Sequence, residues 1–244
     1  MNADNTDPRL AAVWLGITTC ERCPRLRSYC REVARVRKRA HRDEEYWGRP
    51  VPGFGDPRAR ILVLGLAPAA HGANRTGRVF TGDGVGASGD FLMAALHRAG
   101  FANLSTSQHP DDGLVLTDVY IAAAVRCAPP DNQPTRGEID TCLDHLANEV
   151  RVLPRLQIVV ALGKIAWDAW LTLAARQGVE LPRPKPKFGH NARCTIDASS
   201  TARTPRTAGT RRTWDLVGCF HPSRQNTNTG KVTPAMYDQV FQGL

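Results

Sequence analysis

The sequence predicts an α/β fold of three layers, with a parallel sheet between two layers of helices. Three observations predict it. Four short apolar runs, each bounded by turn residues, read as buried strands. Segments of helical period alternate with them, the pattern of a parallel sheet covered on both faces. The chain has 244 residues, 42% of them hydrophobic, which is enough to bury a sizeable core in one domain spanning 1–244.

The elements follow in order. Residues 25–40, RLRSYCREVARVRKRA, predict a basic helix, and PVPGFGDP at 50–57 a turn region. ILVLGL (61–66) is the first strand. A long Gly-rich polar loop then runs to Gly89, and DFLMAALHRAG is a helix with Gly100 past its end, where a left-handed cap fits. GLVLTDVYIAAAVRC (113–127) holds the second strand. Thr135 and Glu138 form a capping-box signature for a helix with apolar Ile139, Leu143, Leu146 and Val150. LQIVVALG (156–163) is the third strand, followed by the helix KIAWDAWLTLAARQG. WDLVGCF (214–220) is the fourth, and Pro234 opens a last helix. Residues 183–213 break this rhythm with eight Arg and Lys against the single acid Asp197. They predict a solvated surface insertion for the most part, the alternative being a basic loop lying against a phosphate backbone.

Lys and Arg outnumber Asp and Glu by 32 to 23, a net charge of +9. A balance this basic attracts polyanions, nucleic acid above all. MNADNTDPRL has no apolar core of a secretory signal, and ILVLGLAPAA is too short to span a bilayer. The expectation is a soluble cytoplasmic protein, in which the seven cysteines are reduced thiols.

In open parallel sheets, ligands sit beyond the carboxyl ends of the strands. Two polar loops start there: GLAPAAHGANRTGRVFTGD (65–83) after the first strand and HPSRQNTNTG (221–230) after the fourth. The second contains nothing that favours a helix and reads as a loop built to grip a ligand. GVGASG (84–89) satisfies a dinucleotide pattern but trails its strand by a long loop and lacks the acidic partner, which excludes an NAD site. Cys20 and Cys23 in CERC, with Cys127 and Cys142, could close a four-thiolate site for zinc or an iron–sulfur cluster. Cys30, Cys194 and Cys219 read as buried thiols. His221, Asp83 and Phe80 each have an ordinary structural explanation, as a hydrogen-bonded His, a turn cap and a core ring.

Taken together, the two loops and the spacing of the four cysteines resemble the iron–sulfur uracil-DNA glycosylases of family 5, or type b. The resemblance runs from Cys20 to the final helix. It implies a four-stranded parallel sheet between helices in a single glycosylase domain, and a structural 4Fe–4S cluster on Cys20, Cys23, Cys127 and Cys142. It implies hydrolysis of the bond joining uracil, or another deaminated base such as hypoxanthine, to its deoxyribose. The site residues it implies are Phe80 stacking on the flipped base, His221 bonding a pyrimidine oxygen of the departing anion, and Gly65 and Ala67 lining the base pocket. Asn132 is expected to read the base edge. Arg224, Ser223 and Asn228 are expected on the DNA backbone. Other branches place a carboxylate at the positions of Leu66 and Ala67, and an Asn at that of Ala123. With neither present, Asp83 and Asn226 are the expected holders of the attacking water, and a broader choice of bases is expected. The partner is DNA containing uracil or other deaminated bases, met by a monomer with no membrane association, at the nucleoid in a prokaryote. The competing expectation is a non-enzymatic nucleic-acid-binding protein with a structural metal cluster.

Overall fold

The computed structural model describes residues 7–197 and 213–244. Its sheet has six strands rather than four. β1 is Phe54–Gly55, β2 Ile61–Gly65, β3 Val119–Ala123, β4 Ile158–Leu162, β5 Arg193–Asp197 and β6 Thr213–Cys219, in the order β1-β3-β2-β4-β6-β5. The four expected strands form the parallel centre. The two additions are antiparallel edges, β1 on β3 and β5 on β6.

Strand alternation decides which side chains meet which helices. Leu62, Leu64, Tyr120, Ala122, Val159, Ala161 and Leu216 face one layer, which contains α1 (Pro8–Thr18), α5 (Arg136–Val152) and α6 (Lys164–Arg176). Ile61, Val63, Val119, Ile121, Val160 and Val217 face the other, containing α4 (Ser88–Arg98) and α8 (Pro234–Phe241). The central strands are buried on both faces, which is why they read as continuous apolar runs. The capping box is present: Thr135 Oγ1 accepts from Glu138 N, and Glu138 Oε2 accepts from Thr135 N at 2.7 Å.

The basic helix is shorter than its sequence suggests, α2 (Pro24–Val36), because Arg37 turns into the left-handed region at φ 57°. The insertion is in part packed. Ile196 in β5 is fully buried and pairs with Trp214. Trp167 Nε1 donates to Pro186 O at 3.1 Å, and Phe188 packs on the core. Residues 198–212, the rest of the expected insertion, lie outside the described residues. No helix among the described residues is long and apolar enough to cross a membrane.

A buried polar network ties one helical layer to the sheet. Arg126 pairs with Glu149 of α5, both 1% exposed. Glu149 Oε1 accepts from Tyr120 OH and from Gly53 N, each at 2.9 Å, and Trp14 Nε1 of α1 donates to Tyr120 OH at 2.9 Å. A Cβ on Gly53 would overlap the Tyr120 ring, so only glycine lets this strand approach.

Candidate active site and cysteine cluster

β2 and β4 lie side by side. The chain leaving β2 returns to β3 on one side, and the chain leaving β4 returns on the other, first as the edge strand β5 and then as β6. Such a switch in strand order opens a crevice at the carboxyl ends. Gly65 ends β2 and Gly163 follows β4. A Cβ on Gly65 would stand 3.0 Å from the Phe80 ring, and one on Gly163 3.8 Å from His221 Cβ. Gly65 therefore lets Phe80 close over the end of β2, while Gly163 is demanded by its φ of 102° and leaves His221 in ordinary contact. Their ring centroids are 6.1 Å apart, tilted by 32°. Phe80 is held at φ 51°, an uncommon conformation for an aromatic residue. Its carbonyl lies against Gly89, where any side chain would collide with it.

Two buried arginines that the sequence reading did not single out fix the 65–89 loop. Arg75 donates from Nε to His71 O at 2.9 Å and from Nη2 to Gly82 O at 2.6 Å, and it pairs with Glu44. Arg78 reaches Thr81 Oγ1, Pro110 O, Ser107 Oγ and Asp112 Oδ2 at 2.6–3.1 Å. Both stand in the polar motif NRTGR, where arginines between glycines were the available signal.

Asp83 lies at the root of the next turn. Its carboxyl occupies the space above Gly72 that a Cβ would need. Burial pushes its pKa up to about 6, and nearby Asp90 adds to the rise, while the Arg75 and Arg224 guanidiniums hold it down. His221 is displaced in the opposite direction: burial takes its imidazole down to about 4, so it is neutral at pH 7. Among the described residues its ring nitrogens make no hydrogen bond.

The 221–230 stretch is not a plain loop. Arg224–Asn228 form a short helix, α7, because Ser223 caps it by accepting from Asn226 N at 3.3 Å. Asn226 Nδ2 donates to His221 O at 2.8 Å, which closes the turn that carries His221. Ser223 and Asn226 are thus committed to local structure, while Arg224 and Asn228 are exposed. Arg224 Nη2 stands 3.1 Å from the Cβ position of Gly84, so the two loops meet. Asn132 is exposed at φ 57° beyond β3, and among the described residues nothing joins its side chain to Phe80 or His221.

Cys23, Cys127 and Cys142 share a small apolar cluster with Leu26, Cys30, Val125 and Ala128. Cys23 lies within electrostatic range of Cys20 and Cys127, and Cys142 within range of Cys23 and Cys127, so Cys23 links all four thiols. Burial pushes Cys142 up to about 12, although Arg126 N donates to its Sγ at 3.2 Å. A hydrogen bond with Cys30 and burial both raise Cys127. Cys30 is buried as expected, but it sits directly against Cys127. Ala67 packs on this cluster, so the first motif touches the cysteines. Among the described residues no group of three or more His, Cys, Asp or Glu is gathered as ligands of a single metal ion.

The description of the uracil DNA glycosylase superfamily matches residues 52–244. The chain is 50% identical over 227 residues to a type-5 uracil-DNA glycosylase of Mycobacterium bovis, which covers 93% of this chain and 77% of that protein. It is 47% identical over 225 residues to a type-5 uracil-DNA glycosylase of Thermus thermophilus, 92% of each chain. A type-4 uracil-DNA glycosylase of Pyrobaculum aerophilum is 32% identical over 172 residues, 70% of this chain and 69% of that one. A parallel sheet whose strand order switches beneath Phe80 and His221, and an identity near one half to type-5 enzymes, lead to one conclusion: this chain belongs to the uracil-DNA glycosylase superfamily.

Proposed function

We propose that this protein hydrolyses the N-glycosidic bond of uracil in DNA, releasing the base and leaving an abasic site for base excision repair. The observation that carries the reading is a neutral, half-buried imidazole and a half-buried carboxyl with a pKa near 6, on loops that meet at one crevice. The target base must leave the stack to reach such a crevice, and there it stacks on Phe80. A neutral His221 donates one hydrogen bond to a pyrimidine oxygen. As the bond to the sugar breaks, its electron pair stays on the base, and this donor stabilises the charge that develops. Water then attacks the sugar carbon and gives its proton to Asp83. A carboxylate of pKa near 6 is ionised at pH 7 and still basic enough to take it. Asn226 fixes the His221 turn with one amide N–H, and its second N–H and its Oδ1 remain to share the water with Asp83. Arg224 and Asn228 meet phosphates, and the enzyme works as a monomer. Ala123, small and beside Gly65 in register, leaves room for bases other than uracil, hypoxanthine among them. Asn132, exposed beyond β3, is the proposed reader of the base edge.

The four cysteines suit a 4Fe–4S cluster. Its thiolates bond four different irons, so they need not converge on one ion. Among the described residues, buried Arg126 Nε and Nη1 and His145 Nε2 have no hydrogen-bond partner, and such donors match a group rich in acceptor sulfur. Cys20, Cys23, Cys127 and Cys142 would hold it. When bound it supplies cross-linking of the N-terminal segment, the β3 loop and α5, not chemistry.

Alkali treatment of a uracil-containing oligonucleotide after incubation tests the activity directly. Strand breaks at uracil are expected, slowed ~10²–10³-fold in His221→Ala; no breaks with the wild type would instead favour a binding protein.

Freshly purified protein is expected to be brown, with iron and sulfide near about four of each per chain. Stoichiometric zinc in anaerobically prepared protein would contradict the cluster.

Asp83 also makes a stability prediction. Its pKa is near 6 when folded and 3.8 when unfolded. Between those values the native state keeps a proton that the unfolded chain has released, so this group's contribution falls as pH rises through the window. Asp83→Asn should therefore raise unfolding free energy at pH 7 by on the order of 2 kcal/mol, with the gain vanishing in acid. Denaturant melts at pH 4 and pH 7 read it, and equal effects at both would refute the assignment.

A further inference from the structure

His221 must offer an N–H at a fixed place, yet among the described residues nothing bonds its ring nitrogens. Its direction is therefore set by its backbone and by contact with Phe80. Side chains from three other segments hold that backbone. Phe220 N donates to His190 Nδ1 at 3.3 Å, Phe220 O accepts from Tyr237 OH of α8 at 2.8 Å, and His221 O accepts from Asn226 Nδ2 of α7 at 2.8 Å. His190 comes from the arm between α6 and β5, part of the 183–213 segment that reads in sequence as mostly solvated. Gly218 lets this arm reach β6: a Cβ there would stand 2.2 Å from Gly189 O. Asn191 N donates to Gly218 O at 2.7 Å, and Gly218 N to Ala192 O at 2.8 Å. The His190 ring lies against that of Phe220, centroids 5.3 Å apart, and Phe188 packs on the same ring at 5.9 Å. The partners of His190 fix its tautomer. A backbone N–H can only donate, so Nδ1 is the bare nitrogen; Nε2 carries the proton and donates to Met236 O at 3.2 Å.

We propose that His190 is a positioning residue for the reaction: by accepting from Phe220 N it sets the angle at which His221 meets the oxygen of the departing base. The inference rests on the glycosylase reading. Phe220 lies one residue past the end of β6, where pairing within the sheet no longer holds the chain. Its N–H must then find water or a side chain. A strand end bonded to water tolerates small rotations. One bonded to a ring that is itself tied to Met236 O and packed on Phe220 does not. Small rotations matter here, because a donor stabilises developing charge only when it is aimed at it. The arm thereby does for His221 what Arg75 and Arg78 do for the loop that carries Phe80.

The two hydrogen bonds of His190 can be separated by substitution. His190→Gln keeps a donor for Met236 O but offers no acceptor at the place of Nδ1. His190→Asn keeps that acceptor and loses the reach to Met236. Single-turnover uracil release at saturating enzyme should slow ~10-fold or more in His190→Gln, with affinity for the duplex unchanged, and His190→Asn should restore most of the rate. In a His221→Ala background, His190→Gln should change the rate by less than ~2-fold, because residues that act through one interaction are not additive. Equal losses in the Gln and Asn variants, or an undiminished loss in the His221→Ala background, would show a role in the fold alone and overturn the positioning. The wild type supplies a check that needs no variant. Nitrogen chemical shifts of its labelled histidines should show His190 protonated at Nε2 alone at neutral pH, and a proton on Nδ1 would overturn the hydrogen bond on which the positioning stands. A wild type that releases no uracil would overturn the glycosylase reading, and the positioning with it; the other contrary outcomes leave that reading intact.

Discussion

Everything at this site depends on two neighbouring strands whose chains leave in opposite directions. β2 and β4 pair in register over Ile61–Leu64, yet their outgoing chains diverge, one toward β3 and the other toward β5 and β6. The crevice between those loops is open because no connection can cross it. Phe80, which approaches the end of β2, needs glycine beneath it. Gly65 supplies that, and Gly163 supplies the φ of 102° that the turn beside His221 demands, so backbone topology and two glycines place the aromatic wall of the crevice.

Burial then divides two titratable groups into two roles. The same loss of water that keeps His221 neutral makes Asp83 more basic. Each would be unremarkable in solvent. In the proposed reaction one serves as a hydrogen-bond donor at neutral pH and the other as a proton acceptor, with Arg75 and Arg224 limiting how far the carboxyl rises. Asp83 can occupy this position only because Gly72 lacks a side chain, and the loop holds its shape through Arg75 and Arg78. In the proposed mechanism a carboxylate delivered from further along the loop stands in for one that Leu66 and Ala67 cannot provide.

The parallel centre of the fold was legible because strands buried on both faces are apolar throughout, and the Thr135–Glu138 box because capping chemistry is local. β5 was not: in RCTID only Ile196 is buried, and an edge strand with a solvated side carries charges like any loop. α7 was hidden for a similar reason, since its five polar residues have no period and depend on the Ser223 cap. α1 was missed although its signal was present, Asp7 and Pro8 at the start and Leu10 and Ile17 on one face. At the site, His221, Phe80 and Asp83 could be named from the loops that contain them. Their protonation could not, because burial is a property of the packed chain. The cap role of Ser223 and the hydrogen bond from Asn226 to His221 were equally out of reach, since both require the turn to have formed.

The most direct test of the account is the pH dependence of single-turnover uracil release from a duplex. Water activation by Asp83 predicts a rate that rises to a plateau above an inflection near pH 6, set by the raised carboxyl. In Asp83→Asn the inflection should be absent and the remaining rate low and flat. An inflection that persists unchanged in Asp83→Asn would show that another group accepts the proton and would contradict the assignment.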